Sequence, residues 1–325
     1  MAKINYKMIK EIKEQPQVIK RIINKHLLKD KVIFKELNEH ISELKKIKRF
    51  IFLGCGTSYH SAFYGNLVFE EIMKLNCEVE FADEFNKRNP VIESNTAIII
   101  LSQSGETAEA IRAAKLARSK KVFIISITNN KNSKLAKLAD VNIDLEAGQE
   151  KAVPATKTFS SELLILVLLA LFIQQIKDGK VLKIVSDVKK LPKLIKGIIA
   201  KEKNIKNLAM KLASQKEIII LGEKYNYPIA LEGALKLKEA ANIFAEGMAT
   251  EEFEHGPKAL SDKINLIKIN KQSLEINGKK IAVPKISEIL LPILLVIPLQ
   301  LLAFHLAIQK GIDVDKPKNI KKYIS

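Results

Sequence analysis

Apolar residues fall in short runs that stop at glycine or serine, and between these runs the spacing turns helical. Phe50-Ile51-Phe52-Leu53 ends at Gly54, as a buried strand ends at a loop. Residues 61–75 then carry apolar positions at helical spacing, and 78–81 read as a second strand. Residues 96–101 are a stronger strand, with five of six positions apolar, and 108–118 form an alanine-rich helix. A strand at 122–127, a helix at 133–139 and a strand at 141–145 follow. Alternation at this pace predicts an α/β fold with a parallel, doubly wound sheet flanked by helices.

The pattern then repeats more faintly. A long helix is expected at about 160–178, with further helices over 181–213. Glu217-Ile218-Ile219-Ile220-Leu221 reads as a strand stopping at Gly222, followed by a helix over 228–244. Between 260 and 286 only short strand-like pieces occur, such as 266–269, with no good crossover helix. Two tandem parallel units are therefore expected, the second reduced: a helical segment over 1–47, a first domain over 48–200 and a second over 201–325.

Composition changes the picture little. Hydrophobic residues make up 47% and charged residues 28% of 325, a soluble globular profile with room for two cores. The formal charge of +18 is mostly lysine spread along the chain, with no tryptophan and no nucleic-acid-binding signature, so no nucleic-acid partner is expected. A diffuse positive field does attract anionic substrates. Cys55 and Cys77 have no metal or disulfide spacing, so no metal or cofactor is expected and a reduced, cytoplasmic compartment fits. Residues 1–14 are charged throughout and lack a leader's apolar segment. The stretch 163–173 is shorter than the roughly 20 residues that cross a bilayer. The stretch 289–308 is long enough but contains Pro292, Pro298, Gln300 and His305, so it reads as a buried helix and no membrane partner is expected.

Candidate chemistry lies after two of the strands. Gly54-Cys55-Gly56-Thr57-Ser58 follows the first, and Ser102-Gln103-Ser104-Gly105-Glu106-Thr107 follows the strand at 96–101. In an open parallel sheet, ligands bind beyond the carboxyl ends of the strands. Both loops offer hydroxyls, small residues and backbone N–H groups, and both lead into helix N-termini, which favour anions. Ser and Thr favour such places as caps in any case, but two such loops after successive strands point to an anion site. Neither has the spacing of a nucleotide or dinucleotide loop, so a monophosphate is expected. The loop Gly222-Glu223-Lys224-Tyr225-Asn226-Tyr227 has acidic and bulky residues instead. One phosphate site per chain, in the first unit, follows.

The two loops resemble the signature of the sugar isomerase (SIS) domain. Three further stretches narrow the resemblance: Glu232-Gly233-Ala234-Leu235-Lys236-Leu237-Lys238-Glu239, Glu254-His255-Gly256-Pro257, and Asp313-Val314-Asp315-Lys316-Pro317-Lys318-Asn319. Together with Lys10-Glu11-Ile12-Lys13-Glu14-Gln15-Pro16 they resemble the isomerase half of the glutamine–fructose-6-phosphate aminotransferases, over almost the whole chain. The resemblance implies that Ser58, Ser102, Gln103, Ser104 and Thr107 hold the phosphate, with Thr57 assisting. It implies that Glu239 moves a proton between C1 and C2 and that Lys236 sits beside the reacting carbonyl. His255, from a neighbouring subunit of a homodimer, helps open the ring. Lys322 forms an imine with the ketose, and the Val153 backbone lines the sugar.

Elementary chemistry fits these roles. One carboxylate can serve adjacent carbons when desolvation raises its pKa. A lysine near another cation has a lowered pKa and attacks carbonyls more readily. Lys236 and Glu239, three apart, share a helix face; without the motif they would read as an ordinary surface ion pair. Two departures stand out. Met1-Ala2 lacks the N-terminal cysteine of the family's glutaminase domain, so nitrogen is expected from ammonia or from a separate glutaminase. Pro154-Ala155 replaces small and hydroxyl residues, so one sugar contact is expected to be missing. The implied activity interconverts fructose 6-phosphate plus ammonia with glucosamine 6-phosphate. Another amino-sugar-phosphate isomerase or deglycase and a non-catalytic sugar-phosphate sensor are the alternatives.

Overall fold

The computed structural model describes residues 6–179, 183–320 and 322. Residues 1–5, searched above for a leader, and 181–182, placed above in a helical stretch, lie outside the described residues. The described chain packs into two compact units that interleave along the sequence. Residues 18–149, 161–179 and 183–189 form the first; 6–17, 150–160, 190–320 and 322 form the second. These bounds differ from the linear division into 1–47, 48–200 and 201–325. Helix Lys7–His26 and helix Lys157–Asp178 each begin in the second unit and continue in the first.

The first unit is built on five strands: β1 (Arg49–Gly54), β2 (Asn76–Phe81), β3 (Thr96–Leu101), β4 (Phe123–Thr128) and β5 (Val141–Asp144). They are all parallel, in the order β2-β1-β3-β4-β5. Every residue of β3 is buried, which is why the strand reads as an unbroken apolar run: helices cover both faces. The chain reverses its winding between β1 and β3, and this switch point is where an open sheet leaves a crevice for ligand. Helix Thr57–Met73 starts four residues earlier than its apolar spacing indicates, because the polar Thr57-Ser58-Tyr59-His60 forms its first turn.

The second unit carries β6 (Glu217–Gly222), β7 (Phe244–Ala249), β8 (Asn265–Asn270), β9 (Ser273–Ile276) and β10 (Lys279–Ala282), in the order β10-β9-β8-β6-β7. β7 and β8 run parallel to β6, while β8, β9 and β10 form antiparallel pairs. The expectation of a second wholly parallel sheet is thus corrected: this sheet is mixed. Two-residue connections cannot carry the long crossover that parallel neighbours need. Asn277 and Gly278, at φ 48° and 74°, make the left-handed turn that joins hairpin strands. The helix expected over 228–244 ends at Ala241, where Asn242 turns left-handed, and Phe244 opens β7 instead.

Both units share one device. A Cβ on Gly54 would meet the Ser58 carbonyl at 2.6 Å, and one on Gly222 would meet the Asn226 carbonyl even more closely. The first turn of the following helix rests directly on the end of each strand, and only glycine permits that approach.

Helices Lys157–Asp178 and Glu288–Gln309 are long and apolar enough to cross a membrane by length and composition. Their apolar windows are 83% and 94% buried within the protein, so both serve as core helices. The latter packs against helices Leu191–Ile199, Glu202–Leu212 and Tyr227–Ala241. Its polar residues are engaged: Gln300 donates to the Thr156 carbonyl at 3.1 Å and accepts from Gln15 at 2.8 Å, and His305 lies 3.2 Å from Glu202.

Candidate active site

Two helix N-termini lie at the carboxyl ends of the adjacent strands β1 and β3. Helix Thr57–Met73 begins after Gly56, which has no side chain to cap it, and Gly56 adopts φ 54°. Helix Ala108–Ser119 begins after Thr107, whose side chain makes no capping bond. Its hydroxyl lies 2.9 Å from that of Ser102 instead. By contrast, Ser133 caps helix Lys134–Leu138 by accepting from the Ala136 amide. The leading amides of helix Ala108–Ser119 are thus placed as donors for an anion, whereas the Ser58 and Tyr59 amides already donate to the Cys55 and Gly56 carbonyls at 3.1 and 3.0 Å.

The serine loop is held rigidly. Ser102 Oγ accepts from the Gly105 amide at 3.1 Å, and Ser104 Oγ from the Glu106 amide at 3.1 Å. Gly105 has φ 66°, and a Cβ there would overlap the Ser133 side chain. Gln103 and Ser104 are half-buried on the loop, and the Gln103 carbonyl accepts from the Asn129 amide. Glu106 turns aside: the Lys134 amide and ammonium bind its carboxylate and hold it below the usual carboxylate range.

Ser58 is also tied to the protein interior. Its hydroxyl donates to Glu162 at 2.8 Å, and Ser61 donates to the other oxygen of the same carboxylate at 2.6 Å. Glu162 is fully buried. A negative group therefore sits beneath one of the two loops, partly offset by the positive end of helix Thr57–Met73. In the sequence Glu162 reads only as the polar start of an apolar helix, which is why it was missed. Thr57, half-buried, is the first residue of that helix.

The second unit holds a different cluster. Helix Tyr227–Ala241 places Glu232, Lys236 and Glu239 on one face, as spacings of three and four require. Lys236 Nζ lies 3.3 Å from Glu232 and 2.5 Å from Glu239. The Lys236 and Glu232 side chains are fully buried, and that of Glu239 is 22% exposed. This is not the surface ion pair that spacing alone suggests. Nor does Lys236 have the lowered pKa of a reactive lysine. Burial pushes the ammonium down, but the carboxylates of Glu232 and Glu239 outweigh it and hold the pKa well above the ordinary lysine value. Lys236 is a fixed cation here, not a nucleophile.

Also in this unit, Lys322 Nζ reaches the Ala152 carbonyl at 2.5 Å, Glu150 at 3.3 Å and the Val153 carbonyl at 3.4 Å. The Val153 amide donates to the Asp315 carbonyl at 3.2 Å. The Val153 backbone, expected to line the sugar, is thus engaged within the protein. His255 is exposed at the end of the short turn Glu252–Glu254. It has no bond to Glu239, Lys236 or Lys322 among the described residues.

The SIS domain family matches residues 43–172 and 211–273. The chain belongs to the SIS domain family. Glutamine–fructose-6-phosphate aminotransferase [isomerizing] of Buchnera aphidicola is 35% identical over 354 residues, covering 98% of this chain. The chain spans 58% of that relative's length. The C-terminal domain of glucosamine-fructose-6-phosphate aminotransferase from Francisella tularensis superposes with a TM-score of 0.88 at 29% identity, covering 97% of this chain and 99% of that one. Glucosamine-6-phosphate deaminase from Thermotoga maritima shares the fold, with a TM-score of 0.74 at 24% identity over 98% of this chain and 99% of its own.

Proposed function

We propose that this SIS chain interconverts fructose 6-phosphate and ammonia with glucosamine 6-phosphate. The observation that carries the reading is the buried Glu232–Lys236–Glu239 cluster, because sugar-phosphate binding alone gives no use for a partly open carboxylate clamped beside a buried cation. Its similarity to the aminotransferases supports the substrate class.

In this reading the two loops that carry Thr57, Ser58, Ser102, Gln103, Ser104 and Thr107 hold the phosphate. Lys322 condenses with C2 of the open ketose, and ammonia displaces it to give the C2 imine. Glu239 takes the C1 proton and returns it to C2, which yields the aldose amine. Lys236 holds Glu239 in place and stabilises negative charge developing on oxygen. The Val153 backbone borders the sugar. His255 assists ring opening across the interface of a homodimer, and its exposure suits that part. The chain acts in the cytoplasm on a small sugar phosphate without a metal, organic cofactor, nucleic acid or membrane.

The same chemistry runs in reverse as deamination. Incubation with glucosamine 6-phosphate should release ammonia and fructose 6-phosphate in equal amounts, and fructose 6-phosphate with ammonium should give the reverse. Tight sugar-phosphate binding with no turnover either way would favour a sensor. Turnover of a different amino-sugar phosphate alone would favour another isomerase or deglycase.

A further inference from the structure

Residues 150–158 are shaped around two carboxylates. Glu11, on helix Lys7–His26, accepts the amides of Lys151 at 2.5 Å and Ala152 at 3.3 Å. Glu150 accepts the Thr156 amide at 2.8 Å, the Thr156 hydroxyl at 3.2 Å and the Thr158 amide at 3.4 Å. These bonds turn the carbonyls of Ala152 and Val153 toward one point, and the Lys322 ammonium occupies it together with the second Glu150 oxygen. Glu150 has no exposed side-chain surface, whereas Lys322 keeps 19%. Burial pushes the Glu150 carboxyl up, but the Lys322 charge and the Thr156 and Thr158 donors bring it below the ordinary value. Glu11 is the other acidic group bearing on the pair, and burial raises its pKa. The Lys157 ammonium, at the end of the same stretch, is taken by Glu14 at 2.8 Å.

All three Lys322 partners are acceptors, and the three N–H donors of an ammonium match them, so this nest holds the lysine at a fixed point. We propose that Glu150 is a positioning residue for the Lys322 amine, ordering residues 150–158 and holding the tail lysine in place until it is drawn out to react. The positioning stands on the geometry of this unit; only the imine chemistry of Lys322 rests on the functional reading above.

Limited acetylation with acetic anhydride at pH 8 tests it, with Lys322 read by peptide mass spectrometry against the exposed Lys316 and Lys318. Lys322 should label slowly in the parent. In Glu150→Gln its relative rate should rise about tenfold or more, as loss of the charge-assisted hydrogen bond frees the lysine from its nest. An unchanged rate overturns the proposal. Lys322→Met is the companion variant, which leaves Glu150 buried without its cation. Its melting temperature should fall below the parent's at pH 8, and the gap should close as acid protonates Glu150. Equal melting at pH 8 overturns the proposal as well. Borohydride trapping with fructose 6-phosphate separates the two claims. Slow labelling relieved by Glu150→Gln, without a trapped adduct on Lys322, upholds Glu150 and removes the imine.

Discussion

Replacing Lys236 with methionine keeps the bulk of the side chain and removes its charge, which strands Glu232. Glu232 has no exposed side-chain surface and lies 3.3 Å from the lost ammonium. Glu239, at 22% exposure, can turn partly to water and adds less. Removing one partner of a buried ion pair costs about 3–5 kcal/mol, mostly the penalty of the charge left behind. The loss should appear in urea unfolding at pH 7.5, and as a fall in melting temperature of roughly 10 °C for a unit of this size. Lys236→Met with Glu232→Gln should recover most of it, because the stranded charge is then gone. The sign of the pH dependence follows from the raised Lys236 pKa. Its stabilising contribution is fully present at neutral pH and is lost only as pH rises beyond the ordinary lysine range. A deficit under about 1 kcal/mol, the level of an exposed pair, would refute the reasoning.

Glu162→Gln should strengthen glucose 6-phosphate binding by about 1 kcal/mol, roughly fivefold, since it removes a buried like charge beneath a phosphate loop; isothermal titration calorimetry measures it. Gly105→Ala should weaken the same binding and cost about 1–3 kcal/mol of stability, because the residue must keep a left-handed φ while clearing Ser133. Burial pushes the Cys55 thiol up to about 11, so iodoacetamide should alkylate it at pH 8 about a hundredfold more slowly than a free cysteine thiol.

The first sheet was legible almost in full, because β1 and β3 are buried on both faces and read as apolar runs, and β4 is apolar but for Ser126 and its closing Thr128. The serine loop was legible for a related reason: polar residues just after such runs have few structural alternatives. β7 was not legible, since Phe244-Ala245-Glu246-Gly247 continues the helical pattern before it and only the left-handed Asn242 breaks the helix. The hairpins of β8 to β10 were visible only as a missing crossover. At the site, sequence spacing placed Lys236 and Glu239 on one face but could not tell that Lys236 is buried. That burial between two carboxylates makes Lys236 a fixed ammonium. Glu162 and Glu150 were missed because their partners lie about 100 and 172 residues away in sequence. Local pattern carries no trace of such pairings.

The central claim is that this chain does chemistry on an amino-sugar phosphate and does not merely bind one. The most direct test incubates the purified protein and its Glu239→Gln variant with glucosamine 6-phosphate and follows fructose 6-phosphate and ammonia together. The account predicts equal release of both by the parent, and loss of about a hundredfold or more of the rate in the variant, the scale of removing a general base, with phosphate binding retained. Full activity in Glu239→Gln, or none in a parent that binds the sugar phosphate tightly, would contradict it.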